Sequence, residues 1–144
     1  PMSLGAAYDH ANIFAKILRG ELPAVKVFED DVALAFMDIF PQSRGHTLVI
    51  PKRSAAVNLL DENPSTLQAL IVRVQRIARA VVAATAADGF RIVQFNGAPA
   101  GQTVFHLHFH IIPVFAGVNL APHAGGKADA ADLEALAAKI RSAL

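Results

Sequence analysis

The segment Gly101-Gln-Thr-Val-Phe-His-Leu-His-Phe-His-Ile-Ile-Pro113 alternates with a period of two. Successive side chains of an extended backbone point to opposite faces, so a strand predicted over Phe105 to Phe115 places His106, His108, His110 and Ile112 on one face. Leu107, Phe109 and Ile111 then point the other way, into core. Three imidazoles on one sheet face are costly to bury, because each carries two ring nitrogens that need partners. The run sits inside Ile92 to Gly126, a stretch of 35 residues without Asp, Glu, Lys or Arg.

Three histidines in strict alternation are compatible with three readings. They can be core or surface residues with no task. They can bind a metal, since histidines at i and i+2 can share a zinc ion with ring nitrogens about 2.0–2.1 Å from it. Positions i and i+4 lie about 13 Å apart on an extended strand, however, and the segment supplies no carboxylate to complete or orient a site. The third reading is nucleophilic. A neutral imidazole can attack phosphorus and form a covalent intermediate, dividing one displacement into two. The middle residue, His108, would then be flanked by two imidazoles able to donate to phosphate oxygens or a leaving group. The phosphate charge would otherwise be met by Gln102, Thr103 and backbone N–H groups around Gly97, Gly101 and Gln102.

The rest of the chain predicts an α+β domain. Asn12 to Arg19 is expected to form a short helix closed by Gly20, with Ile13, Phe14, Ile17 and Leu18 at helical spacing. Val25 to Glu29 and Ala33 to Phe36 are strands about a turn at Asp30-Asp31, and Thr47 to Pro51 is a third. Pro64 opens a long helix to Ala87, with Leu67, Leu70, Ile71, Val74, Ile77, Ala78, Val81 and Val82 in period, and Gly89 is expected in its left-handed end position. Phe90 to Phe95 is a further strand, and Ala130 to Leu144 is a closing helix. Helices segregated from hairpin-linked strands imply an antiparallel sheet. At 144 residues the chain makes one domain, here taken as 10–144 behind a tail of residues 1–9 whose Pro1 reads as an addition ahead of Met2.

Composition removes several classes. The 13 Lys and Arg nearly cancel the 12 Asp and Glu, which argues against a nucleic-acid partner. The hydrophobic fraction is 53%, but 28 of those residues are alanine, and no run approaches the roughly 20 apolar residues that span a bilayer. Cysteine is absent, so disulfides, thiolate catalysis and Cys-ligated metal are excluded. The N-terminus has no signal-peptide pattern.

His106-Leu-His-Phe-His-Ile-Ile112 resembles the histidine-triad (HIT) motif, three histidines each followed by an apolar residue. Asn12-Ile-Phe-Ala-Lys-Ile-Leu-Arg-Gly-Glu-Leu-Pro23, Ala35-Phe-Met-Asp-Ile39, Gly45-His-Thr-Leu-Val-Ile-Pro-Lys52 and Ala100-Gly-Gln-Thr-Val104 resemble further family blocks in family order, over roughly residues 10–115. The resemblance is closest to the Hint branch, the nucleotide-binding histidine-triad proteins. It implies a five-stranded antiparallel sheet with a long helix and short flanking helices. It also implies a cytoplasmic homodimer joined along the long helix, whose alanine-rich end (Ala78, Val81, Val82, Thr85) would permit close approach, although core burial would produce the same pattern.

The resemblance further implies a hydrolase that cleaves purine nucleoside 5′-phosphoramidates or related nucleotide conjugates at the α-phosphate. His108 would be the nucleophile, His110 would contact the phosphate or the departing group, and His106 would belong to the supporting hydrogen-bond network. Thr103 stands where many relatives have serine; with Asn96 and Gln102 it would bind phosphate oxygens or the leaving group. His46 matches an additional histidine near the triad and is counted as substrate-binding. Phe14, Ile17, Phe36 and Ile39 would form the nucleoside pocket, with Asp38 on the ribose. From the residues alone those four apolar side chains read as simple core, and only family position promotes them; Asp38 reads equally as a turn acceptor before Pro41. No cofactor is implied. Some bacterial relatives hold zinc through a Cys-x-x-Cys pair and histidines; here those positions are Asn12, Ala15 and Ser54, and no metal is expected. The alternatives are dinucleoside polyphosphate hydrolysis and a non-enzymatic nucleotide-binding role.

Overall fold

In the computed structural model, which describes residues 4–123 and 125–144, the elements are helix α1 (Ile13–Leu18), strands β1 (Lys26–Glu29), β2 (Ala33–Met37) and β3 (Thr47–Pro51), helix α2 (Pro64–Thr85), strands β4 (Gly89–Val93) and β5 (Phe109–Val114), and helix α3 (Ala130–Ala143). The five strands form one antiparallel sheet in the order β1-β2-β3-β5-β4. No helix of the described residues is long and apolar enough to cross a membrane.

The alternation of β2 and β3 sorts two cores onto the two sheet faces. Ala33, Ala35, Met37 and Val49 pack with Leu107 and Ile111 against α2 and α3. Leu34, Phe36, Leu48 and Ile50 pack with Phe14, Ile17 and Leu18 of α1 on the opposite face. Leu107 and Ile111 are fully buried and Phe109 is half-buried against the same core, as the period-two pattern predicts. Helix α1 starts at Asn12, whose side chain accepts from the Ala15 N–H, and α2 starts at Asn63, which caps Ser65 ahead of Pro64.

Three local expectations need correction. The strand carrying the histidines begins at Phe109, four residues later than predicted, because Val104 to His106 bend the backbone out of the ladder. Helix α2 ends at Thr85, and Ala86, not Gly89, takes the left-handed position (φ 55°, ψ 36°); Gly89 instead starts β4. Val81 and Thr85 are buried in the core and are unavailable for contact with a second chain. Gly45, by contrast, is required: at φ +95° an added Cβ would lie 2.8 Å from Thr85 Cγ2 and 3.1 Å from Pro113 Cγ. That close approach locks the β2–β3 loop against α2 and places His46.

Candidate functional site

Strand β5 pairs with β3, setting His110 opposite Leu48, while the bend before it carries His106 and His108. The bend keeps the rings on the α1 side. Phe14 meets His108 edge-on (centroids 4.9 Å), and His108 lies 5.0 Å from His110. All three triad histidines and His46 are buried.

Their tautomers follow from the partners they meet. His106 Nε2–H donates to the Pro51 carbonyl (3.0 Å), so its Nδ1 accepts from the Tyr8 hydroxyl (2.5 Å). Burial pushes the Tyr8 phenol up, which keeps that hydroxyl protonated. His108 Nδ1–H donates to the His106 carbonyl (2.7 Å), leaving Nε2 as the unprotonated nitrogen. On the other side, the Gln42 N–H donates to His46 Nδ1 (3.0 Å), so His46 carries its proton on Nε2 and donates it to His110 Nδ1 (2.9 Å). His110 therefore bears Nε2–H, the one buried side-chain polar atom among the described residues with no hydrogen-bond partner. Two backbone relays thus place a lone pair on His108 and a donor on His110 next to it.

Burial holds all four rings neutral. It lowers His108 to about 4, the carbonyl of His106 partly opposing. It lowers His110 to about 2, with His108 and His46 adding to the shift. His46 and His106 are lowered by the same cause, opposed by Asp38 and by the Pro51 carbonyl respectively.

The rings open onto a cleft of about 240 Å³. Its lining includes the apolar Phe14, Ile17, Phe36 and Ile39 together with Thr103, His108 and His110. Asp38 lines the same cleft, its Oδ1 accepting the Phe40 N–H (2.8 Å). The expected nucleoside residues and Thr103 are thus brought together with the triad.

Three expected contacts are not. Gln102 is buried and fully used by backbone groups: Oε1 accepts the Gly97 N–H (2.8 Å), and Nε2 donates to the carbonyls of Val57 (2.6 Å) and Val104 (3.1 Å). Asn96 lies outside the cleft lining, its Oδ1 accepting from Leu59 N–H and Gln94 Nε2. His46 stands behind His110 and acts through that ring without lining the cleft. The sequence reading also missed Tyr8 and His123, the latter lining the cleft from the β5–α3 loop. His123 lies within the uncharged stretch that flagged the triad, which was the available signal.

Asp38, His46 and His110 bring a carboxylate oxygen and two ring nitrogens within 4.8 Å of one another. A metal there would need both facing nitrogens unprotonated, whereas the Gln42 N–H fixes a proton on His46 Nε2, and the 2.9 Å separation is that of a hydrogen bond. The positions that carry a Cys-x-x-Cys zinc site in some relatives do not fit zinc either. Asn12 caps α1, and the Ser54 hydroxyl donates to Glu62 Oε2 (2.5 Å).

The HIT domain family matches residues 19–117. The chain is 46% identical over 101 residues to the adenylylsulfatase HINT3 of Arabidopsis thaliana, a match covering 70% of this chain and 51% of that protein. It thus spans about half the length of that plant relative. It is 45% identical over 109 residues to an uncharacterised HIT-like protein of Mycobacterium tuberculosis, covering 76% of this chain and 75% of that one. Among solved structures, a HIT-like protein from Bartonella henselae, described as involved in cell-cycle regulation, is 53% identical with a TM-score of 0.89, covering 96% of this chain and all (100%) of that one. A zinc-bound histidine triad protein from Mycobacterium smegmatis is 39% identical with a TM-score of 0.81, covering 92% of each chain.

Proposed function

The chain belongs to the histidine-triad (HIT) family, a family of nucleotide-binding and nucleotide-hydrolysing proteins, and from that premise we propose that it hydrolyses nucleoside 5′-phosphoramidates and related nucleotide conjugates at the α-phosphate, by way of a nucleotidyl-His108 intermediate. One observation carries this: His108 Nδ1–H is held by the His106 carbonyl, so the lone pair sits on Nε2 of a ring that lines the cleft. Burial keeps that ring neutral at physiological pH, the state in which it can attack.

In the first step the His108 Nε2–P bond forms as the bond from phosphorus to the leaving group breaks. The His110 Nε2–H and the Thr103 hydroxyl would donate to phosphate oxygens or to a leaving-group oxygen, and an amine departing from a phosphoramidate would take its proton from solvent. Water then attacks phosphorus, the P–N bond breaks, neutral His108 is restored, and one proton goes to solvent. Phe14, Ile17, Phe36 and Ile39 would enclose a purine base and Asp38 would accept from ribose hydroxyls. The relative named adenylylsulfatase, acting by its name on a sulfate-substituted adenylate, supports chemistry at the same phosphorus.

Incubation with adenosine 5′-phosphoramidate, followed by mass spectrometry, should locate an adenylyl adduct on His108. His108→Ala should abolish turnover while retaining AMP binding. An adduct on another residue, or full turnover by that variant, refutes the reading.

We also infer a homodimer. The free edge of β4 and the neighbouring face of α2 expose Phe90, Ile92 and Ile71 around an apolar cleft of about 620 Å³. An unpaired edge strand flanked by exposed apolar side chains is a surface that a second copy can cover.

A further inference from the structure

The rings of Phe14, His108, His110 and His123 succeed one another along the cleft, with centroid separations of 4.9, 5.0 and 5.8 Å. The first three belong to the nucleoside wall and the triad. His123 belongs to neither, yet its loop is fastened to the site. The Ala121 N–H donates to the Gln42 carbonyl (2.8 Å), Gln42 Nε2 donates to the Ala121 carbonyl (3.2 Å), and the Ala128 N–H donates to the Ile39 carbonyl (2.9 Å). Gln42 is the residue whose own N–H sets the His46 and His110 tautomers. Phe95 lies against both His110 and His123, at 5.4 and 6.4 Å.

Among the described residues, no protein group hydrogen-bonds the His123 ring, and no Lys or Arg lines the cleft. An imidazole offers at least one N–H donor in either protonation state. His110 Nε2–H is thus a buried donor without a partner, and the exposed His123 ring, which lines the same cleft, carries a second N–H donor. We propose that His110 and His123 form the leaving-group subsite, and that this subsite favours a group departing as an oxyanion, a sulfate or a phosphate. The inference rests on His108 as the nucleophile.

When the His108 Nε2–P bond forms and a P–O bond breaks, the electron pair leaves on oxygen, and no proton is required. N–H donors that line the cleft beside His108 would stabilise that charge as it develops. An amine leaving from a P–N bond must gain a proton instead. The imidazoles of the triad are held neutral by burial, and Asp38, the one carboxyl in the cleft lining, sits beside His46 with one oxygen committed to the Phe40 N–H. The lining offers donors to a departing oxyanion, whereas a departing amine would draw its proton from solvent.

The test compares kcat/KM for adenosine 5′-phosphosulfate, ADP and adenosine 5′-phosphoramidate in the wild type, His123→Ala and His123→Asn. His123→Ala should lower the ratio of phosphosulfate to phosphoramidate activity about tenfold, the loss of one oriented donor. His123→Asn, which keeps an N–H donor, should recover part of that ratio. The ADP arm separates a phosphate-accepting subsite from a sulfate-accepting one, since the larger response to His123→Ala marks the preferred oxyanion. If wild type turns over the phosphoramidate and both variants leave the ratio unchanged, the subsite is refuted while His108 chemistry stands. If wild type forms no adduct with any of the three, the nucleophile reading falls and this inference falls with it.

Discussion

Acid should destabilise the fold before its ion pairs begin to fail. In the native protein burial holds His108 to about 4 and His110 to about 2, whereas in the unfolded chain each takes up a proton near 6.5. Below that pH the unfolded state binds more protons than the native one, so stability present at neutral pH is lost as pH falls. Between about pH 7.5 and pH 5 each of these two rings costs roughly 2 kcal/mol at 1.36 kcal/mol per unit. Their combined loss is a large share of the roughly 5–15 kcal/mol that holds a domain folded. His46 and His106, also lowered by burial, act in the same direction. Glu29, held below its usual range by Lys52 and Lys26, stays ionised over this window and does not obscure the effect. Urea unfolding followed by circular dichroism at about pH 7.5, 6 and 5 measures the loss. His108→Gln removes one titrating ring, so its stability should fall by about 2 kcal/mol less over the same range. A wild type whose stability is flat from pH 7.5 to 5, or a variant that falls as steeply as wild type, would refute neutral burial of the triad.

Other consequences are separable. His46→Ala leaves His110 Nδ1 without its donor and frees the ring to adopt the other tautomer. A lost buried hydrogen bond of about 1–3 kcal/mol would lower kcat by about 5- to 160-fold with little change in AMP affinity, measured by steady-state kinetics and calorimetry. Gly45→Ala should destabilise by about 2 kcal/mol or more in thermal unfolding, since it meets both a positive φ and a Cβ clash with Thr85. Replacing Phe90 and Ile92 with lysine should yield monomers by analytical ultracentrifugation if the β4 edge is the dimer contact. Dialysis against a chelator should leave phosphoramidate turnover unchanged, and a loss restored by zinc would instead point to Asp38, His46 and His110 as ligands.

The histidine spacing, the apolar face of α2 and its opening at Pro64 were legible in the chain because each depends on neighbours within a few residues. Period-two alternation alone separates Leu107 and Ile111 from the imidazoles, and it does so even though the regular strand starts only at Phe109. What Gln102 and His46 do was not legible. Gln102 carries N–H donors suited to a phosphate, but the carbonyls of Val57, distant in sequence, and Val104 accept them. His46 looks like one more ligand until the β2–β3 loop sets it behind His110.

The sequence by itself determined which residues could face one another and that a neutral imidazole would be available. It could not decide which nitrogen of each ring carries the proton. That choice belongs to backbone groups of Gln42, Pro51 and His106, brought to the rings by sheet pairing and loop closure. A tautomer is fixed by the partner a ring meets in space, and such partners lie up to 55 residues away for the triad's own backbone contacts.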